Sequence, residues 1–498
     1  MLDDIVLEIY QLAIAARVST KLLTTIEDLS RQLNRPTTIA MIGRESSGKS
    51  MLLQGILRQR ISTFSGRTTC LNYFRHSATE DSLTSSARCY WSDGTVTYEK
   101  DINKLDDILK NTKNTIRIDS IEVFLDNILL KSLCFIDTPG LLSALGDQQN
   151  MTLNLLGLNK VDTEYTLHED NRIPEVDAII YVFDIKRDVN DIPVLKAYSE
   201  QVPGAKKSNI LGVITKVDTS TDINERNKRA LHKMEVYKDY LAGVIPVSGT
   251  FINYIAFWES GNLHELNKLF NAIKSLSDDD YKKLFRPGFN DQDLRGTSIF
   301  SLYKTGNYEW GTFKLIVQEI RNSRDEMSFL EKWKEYSGYT RLNDVIDLFI
   351  QRSKYMRIRR ITNSLLSILD EFIMSYGNRQ LILGRIDLVT QTHNLKRSLL
   401  DCIDQIDSIE RRFEIVQTVR CSPDLFLKIP DDFAWLMDET YESKSVSKLL
   451  VDKQKEWTKY LVDINPTVRT VAKNVIWECG TRLRNHLDDT GRGSVPLK

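Results

Sequence analysis

A glycine, four residues, then Gly-Lys-Ser constrains this chain more than any other stretch: Gly43-Arg44-Glu45-Ser46-Ser47-Gly48-Lys49-Ser50. It fits the phosphate-binding loop pattern, which sits between a strand and a helix. Both flanks comply. Thr37-Thr38-Ile39-Ala40-Met41-Ile42 reads as a short buried strand, and Met51-Leu52-Leu53-Gln54-Gly55-Ile56-Leu57 begins a helix. That order aims a helix N-terminus at an anion. Gly43 and Gly48 let the backbone curl so that successive N–H groups face phosphate oxygens. Lys49 would reach the β- and γ-phosphates as a point charge, and the Ser50 hydroxyl would bind Mg²⁺. The expected nucleotide-binding residues of this stretch are Gly43, Glu45, Ser46, Ser47, Gly48, Lys49, Ser50 and Met51.

Four further signatures follow in order. In Phe64-Ser65-Gly66-Arg67-Thr68-Thr69-Cys70-Leu71 a threonine precedes a strand, as where GTPases sense the γ-phosphate through a hydroxyl on Mg²⁺. Either Thr68 or Thr69 serves, and Thr69 is the preferred reading. Arg88 to Trp91, a Ser92-Asp93-Gly94 turn and Val96 to Tyr98 predict a hairpin. Residues 116–125, an Asp126-Asn127 turn and residues 129–136 predict a second antiparallel pair. Its second strand runs into Asp137-Thr138-Pro139-Gly140, which supplies an Mg²⁺ ligand, Asp137, and a γ-phosphate-sensing glycine, Gly140. The run at 176–184 is nearly continuously apolar, the mark of a buried parallel strand. A helix around 191–200 and another strand then lead to Thr215-Lys216-Val217-Asp218. Asp218 would accept from guanine N1–H and the 2-amino group, donors that adenine lacks. Lys216 would lie along the base. Asn159-Lys160-Val161-Asp162 spells the commoner guanine motif literally, but it precedes the 176–184 strand and lacks a strong strand lead-in. The later motif is therefore preferred. Val244-Ile245-Pro246-Val247-Ser248-Gly249 reads as the last strand and a loop whose Val247, Ser248 and Gly249 meet the base, with the Ser248 and Gly249 backbone at guanine O6. Five signatures in this order specify a GTP-binding domain.

The chain has 498 residues, too many for one core. Lys+Arg at 67 against Asp+Glu at 68 leaves no overall basic footprint, so no nucleic acid is expected as a partner. Cys70, Cys89, Cys134, Cys402, Cys421 and Cys479 form no Cys-x-x-Cys pair and read as buried thiols in a reducing compartment. With no basic-then-apolar leader and no apolar run of membrane length, the expected location is cytoplasmic. Apolar residues at helical spacing through 3–33 predict a helix or helix pair before the phosphate-binding strand. From about 255 onward the pattern turns helical, with 278–300 polar and turn-rich. Ser337-Gly338-Tyr339 opens a long helix; periodicity breaks near Gly377 and Gly384, resumes to Phe413, and returns over 446–487 with an interruption at Pro466.

These residues resemble the dynamin superfamily, in particular its bacterial dynamin-like members. The likeness rests on Ser46 in the loop, Thr215 in place of asparagine, the long insert before Asp137, and Leu141 where Ras-like enzymes carry a water-orienting glutamine. It implies an α/β P-loop GTPase domain, a mixed and mostly parallel sheet with helices on both faces, plus an α-helical stalk. The expected boundaries are 1–34 for an N-terminal helix packing with the bundle, 35–255 for the GTPase domain, 256–336 for a connector, and 337–498 for the stalk. It also implies GTP hydrolysis with Mg²⁺ held by Ser50, Thr69 and Asp137. Ser46, Lys49, Thr69 and Gly140 are the implied catalytic set, helped by a monovalent cation when two GTPase domains meet in a homodimer or larger assembly. Arg44-Glu45 departs from the usual loop, and Arg44 reads either as an arginine finger or as a solvated side chain beside the nucleotide. The resemblance further implies peripheral contact with membrane lipid at the stalk's far end. Phe426, Phe433 and Trp435 are there either as a wedge or as core at a helix corner, and Asp431, Asp432 and Asp438 weigh against an anionic leaflet. The rival expectation is a soluble GTP-controlled scaffold gating a partner protein.

Overall fold

The computed structural model describes residues 2–59, 70–77, 86–102, 118–141, 146–161, 164–167, 175–185, 192–217, 223–286, 288–295, 297, 299–305, 310–374, 385–421, 433–437, 444–463 and 466–489. The chain divides into two compact units, one of Pro36–Ile346 and one of Met1–Arg35 with Asp347–Lys498.

The first unit is built on eleven strands: β1 Thr37–Gly43, β2 Leu71–His76, β3 Ser86–Trp91, β4 Val96–Glu99, β5 Ile118–Leu125, β6 Leu133–Asp137, β7 Leu158–Val161, β8 Glu164–Leu167, β9 Ala178–Asp184, β10 Ile210–Thr215 and β11 Gly243–Pro246. Nine of them form one sheet in the order β11-β10-β9-β1-β6-β2-β5-β3-β4. The five strands from β11 to β6 are parallel throughout. Every residue of β6, β9 and β10 is buried. That is why their sequences are apolar without alternation: a parallel strand covered on both faces has no solvent side to mark. Beyond β6 the sheet becomes mixed. β2 runs antiparallel to β6, β5 parallel to β2, and β3 antiparallel to both β5 and β4.

The expected pairing of 116–125 with 129–136 does not form, because β2 lies between β5 and β6. Two local causes are visible. The Asn127 side chain accepts from the Leu129 N–H at 3.0 Å and starts a 3₁₀ turn over Ile128–Lys131, which buries Leu130. A hairpin needs a tight reversal, and this turn instead carries the chain past one strand position before β6 begins at Leu133. Both ladder sides of β5 are taken, by β2 and β3.

After β11 the helices Gly249–Glu259, Leu263–Lys274, Trp310–Asn322 and Glu326–Ser337 stay with the sheet in this unit. Aromatic side chains join the first and last of them: Phe251 and Trp333 have ring centres 4.4 Å apart, and Trp258 and Phe329 5.9 Å. Gly338 ends the last helix in the left-handed conformation at φ 76°. A β-carbon there would stand 2.3 Å from the Pro246 carbonyl oxygen, so only glycine lets the helix end against β11.

The second unit is helical. The helices Leu2–Ala15 and Thr20–Gln32 pack together, and the first also packs on Ile386–Cys421. Arg360 donates to the Gln32 side chain at 2.8 Å, and Arg357 to the Arg35 carbonyl. Lys444–Thr458 and Pro466–Asp489 complete the unit with the part of Tyr339–Phe372 from residue 347 on. Phe433, Trp435 and Leu436 are buried in its core with Val416, Trp457 and Val471. The Phe433 and Trp457 rings are 5.6 Å apart. Two of the three aromatics considered for a membrane wedge are therefore core, and Phe426 lies outside the described residues. All six cysteines are buried, and none is in a disulfide. Among the described residues, no helix is long and apolar enough to cross a membrane.

Candidate nucleotide site

The phosphate-binding loop leaves the centre of the sheet at the end of β1. A β-carbon on Gly43 would meet the Val182 carbonyl oxygen of β9 at 2.4 Å, so the strand can enter the loop here only through glycine. Ser46 sits at φ 60°, a left-handed backbone that costs a serine about 1–3 kcal/mol and is characteristic of functional loops. The Ser47 N–H donates to the Arg44 carbonyl at 3.2 Å, and Gly48 at φ 92° turns the chain into the helix Lys49–Leu57. The first N–H groups of that helix have no intrahelical acceptors and point forward along its axis.

Lys49 is buried, and its ammonium donates to the carbonyls of Gly43 at 3.1 Å and Arg44 at 3.0 Å. Burial pushes its pKa down, while the Asp137 and Glu45 carboxylates push it back up. The Ser50 hydroxyl donates to a carboxylate oxygen of Asp137 at 2.6 Å, and Asp137 is fully buried at the end of β6. The segment that follows is stitched to the loop. Thr138 Oγ1 donates to the Met41 carbonyl at 2.8 Å, and the Leu141 N–H to the Gly43 carbonyl at 3.1 Å. Gly140 lies so close that a β-carbon would stand 2.5 Å from the Glu45 amide nitrogen.

On the other side, β10 ends at Thr215, whose hydroxyl lies 2.5 Å from the Ser47 carbonyl and 3.0 Å from that of Phe183. This contact ties the phosphate loop to the ends of β9 and β10 across 168 residues of sequence. Lys216, at φ 60°, pairs with Asp184 at 2.8 Å. Sequence reasoning missed Asp184 and Thr138 as members of this cluster; an acidic residue closing the apolar run of β9 was the available signal. Asn159, Lys160 and Val161 belong to β7, which pairs with β8 in a separate two-stranded sheet. Asp162, Asp218, Thr68 and Thr69 lie outside the described residues.

The loop after β11 is anchored twice. The Val247 N–H donates to the Ile214 carbonyl at 2.7 Å, and the Ser248 side chain caps the helix Gly249–Glu259. The Ser248 N–H donates to the Ser337 carbonyl at 2.9 Å, so this amide is engaged within the protein and is not directed at a base. Asn253 holds the Met51 carbonyl at 2.8 Å, and Gly249 lies beside the Met51 side chain. Gly43 to Met51, Asp137 to Leu141, Thr215 and Gly249 thus form one continuous cluster at the C-terminal ends of the parallel strands, where open α/β sheets bind ligands.

A phosphate-binding loop leaving the central parallel strand, with a buried aspartate closing the next strand beside it, defines a P-loop nucleotide-binding domain. Residues 39–217 match the model of the dynamin family. Comparison with curated protein sequences gives no match. Two solved chains are similar in structure, both described under the heading of an oligomerised bacterial dynamin pair that senses and tethers membranes at long range. One is 15% identical with a TM-score of 0.35, covering 95% of this chain and 88% of its own. The other is 14% identical with a TM-score of 0.35, covering 97% and 91%.

Proposed function

We propose that this chain binds GTP and hydrolyses it to GDP and phosphate by attack of water on the γ-phosphate. The observation that carries the reading is the contact of Ser50 with the buried Asp137 carboxylate beside Lys49. Two hard oxygen ligands at the head of a helix suit Mg²⁺, which binds through few protein oxygens and shares the rest of its sphere with water and phosphates. Ser50 and Asp137 would hold it together with Thr69, and it would supply positive charge against the phosphates. Lys49 exchanges its two loop carbonyls for β- and γ-phosphate oxygens. Loop N–H groups from Glu45 to Met51 supply the remaining donors, and Gly140 senses the γ-phosphate. Ser46 acts on the attacking water in this reading, with a monovalent cation as its helper. Thr215 holds the loop against β10, and Lys216 with Asp218 selects guanine. The helical region 337–498 with residues 1–34 acts as a stalk coupled to turnover.

Dimerisation through the GTPase domains completes the catalytic set in this reading, because Leu141 is apolar and buried and cannot orient water. Specific GTPase activity, corrected for a Lys49→Ala control, is expected to rise several-fold with protein concentration from nanomolar to micromolar. A flat profile would remove the dimerisation step.

One observation favours the alternative of a GTP-controlled scaffold over membrane remodelling: Phe433 and Trp435 are packed in the helical core. Co-sedimentation with liposomes in GTP, GDP and nucleotide-free conditions is expected to match the protein-only control. Nucleotide-dependent pelleting would restore the membrane reading.

A further inference from the structure

The helix Gly146–Leu155 follows the γ-phosphate-sensing segment and is tied back to it, since Thr152 Oγ1 donates to the Pro139 carbonyl at 3.2 Å. Gln149 stands three residues earlier, one turn nearer the helix N-terminus on the face that Thr152 presents to Pro139. Its side chain is 9% exposed, and its carboxamide nitrogen is buried with no hydrogen-bond partner. An orphaned amide of this kind is destabilising, whereas an apolar side chain of equal length would fill the same space without that penalty. Most buried polar groups in folded proteins are hydrogen-bonded, so an unpaired one calls for an explanation. Thr152, one turn further along the helix, holds the Pro139 carbonyl, and the next residue, Gly140, lies against Glu45 in the phosphate loop.

We propose that Gln149 is a positioning residue of the GTP site. During turnover its carboxamide donates to the Gly140 main-chain carbonyl and holds that residue against the γ-phosphate. The inference rests on the GTPase reading and names a residue that the phosphate-loop motifs do not contain.

The test replaces Gln149 with Met, and in parallel with Leu, in the full chain. Four quantities are measured: melting temperature without nucleotide, GDP affinity, and kcat and KM for GTP, beside wild type and Lys49→Ala. The expected result is a melting temperature raised by about 2–4 °C, unchanged GDP affinity and KM, and kcat lowered about tenfold or more. A kcat at the wild-type level would overturn the proposal. So would a lowered melting temperature with joint loss of GDP binding and turnover, because the carboxamide would then be serving the fold. Wild type no faster than Lys49→Ala would instead defeat the GTPase reading, and this inference with it.

Discussion

Lys49→Ala is expected to lower GTP turnover by about a thousandfold or more while the domain remains folded. The size of the loss follows from where the charge sits. The ammonium lies at the mouth of a helix N-terminus, buried from water, where its attraction for phosphate oxygens is weakly screened. The small effect on folding follows from what the side chain does within the protein. It makes two hydrogen bonds, to the Gly43 and Arg44 carbonyls, and offsets them with the desolvation that pushes its pKa down. Their removal should change stability by only about 1 kcal/mol in either direction. The sign of the pH dependence is a second check. A lysine whose folded pKa is lowered binds fewer protons folded than unfolded, so its contribution is complete above the unfolded value of 10.5 and is lost as pH falls through the folded value. The wild type should therefore gain on Lys49→Ala as pH is raised from 7 towards 10. Single-turnover hydrolysis, with thermal melts at both pH values, measures all of this. A variant within tenfold of wild-type turnover would remove Lys49 from the chemistry.

What could be read in the sequence is what local rules specify. The phosphate loop was legible because glycine spacing, the apolar run of β1 and the following helix agree with one another within about twenty residues. Asp137 and Thr215 were legible as strand ends, since uninterrupted apolar runs mark buried parallel strands. The same logic set aside Asn159-Lys160-Val161-Asp162, and the structure puts the first three of these residues in a separate hairpin. Non-local pairing was not legible. The antiparallel pair expected of β5 and β6 looked sound from spacing alone, but β2, from more than forty residues earlier, occupies the place between them. Hydrogen bonds over long separations escaped for the same reason. Nothing near Ser47 announces that its carbonyl is held by Thr215, and nothing near Ser248 announces that its N–H is held by Ser337. Helical periodicity marks the apolar positions only, so nothing in it announces that Arg352 is fully buried in the helical unit.

Arg352→Met should be among the most destabilising single substitutions in the helical unit, at about 3–5 kcal/mol. The residue is fully buried on the helix Tyr339–Phe372. Its guanidinium forks onto Glu410 through Nη2 at 2.7 Å and Nε at 3.3 Å, and Nη1 lies 2.5 Å from the Gln417 side-chain oxygen. Glu410 and Gln417 are themselves fully buried, seven residues and so two turns apart on one face of the helix Ile386–Cys421. One turn before Glu410, Asp407 pairs with Arg359 at 2.7 Å, and burial pulls the Arg359 pKa down. The two antiparallel helices are thus joined by two ionic rungs, and both would be misaligned by a slip of one turn. Removing Arg352 leaves the Glu410 carboxylate in the core without its countercharge, which costs far more than the pair contributes. The triple variant Arg352→Met, Glu410→Leu, Gln417→Leu has no such orphan and should recover most or all of the lost stability. Urea unfolding of the full chain, followed by helical circular dichroism, separates the cases. A single variant costing under about 1 kcal/mol would mean that water reaches the pair. A triple variant no better than the single would mean that packing around Arg352, and not its charge, holds the helices in register.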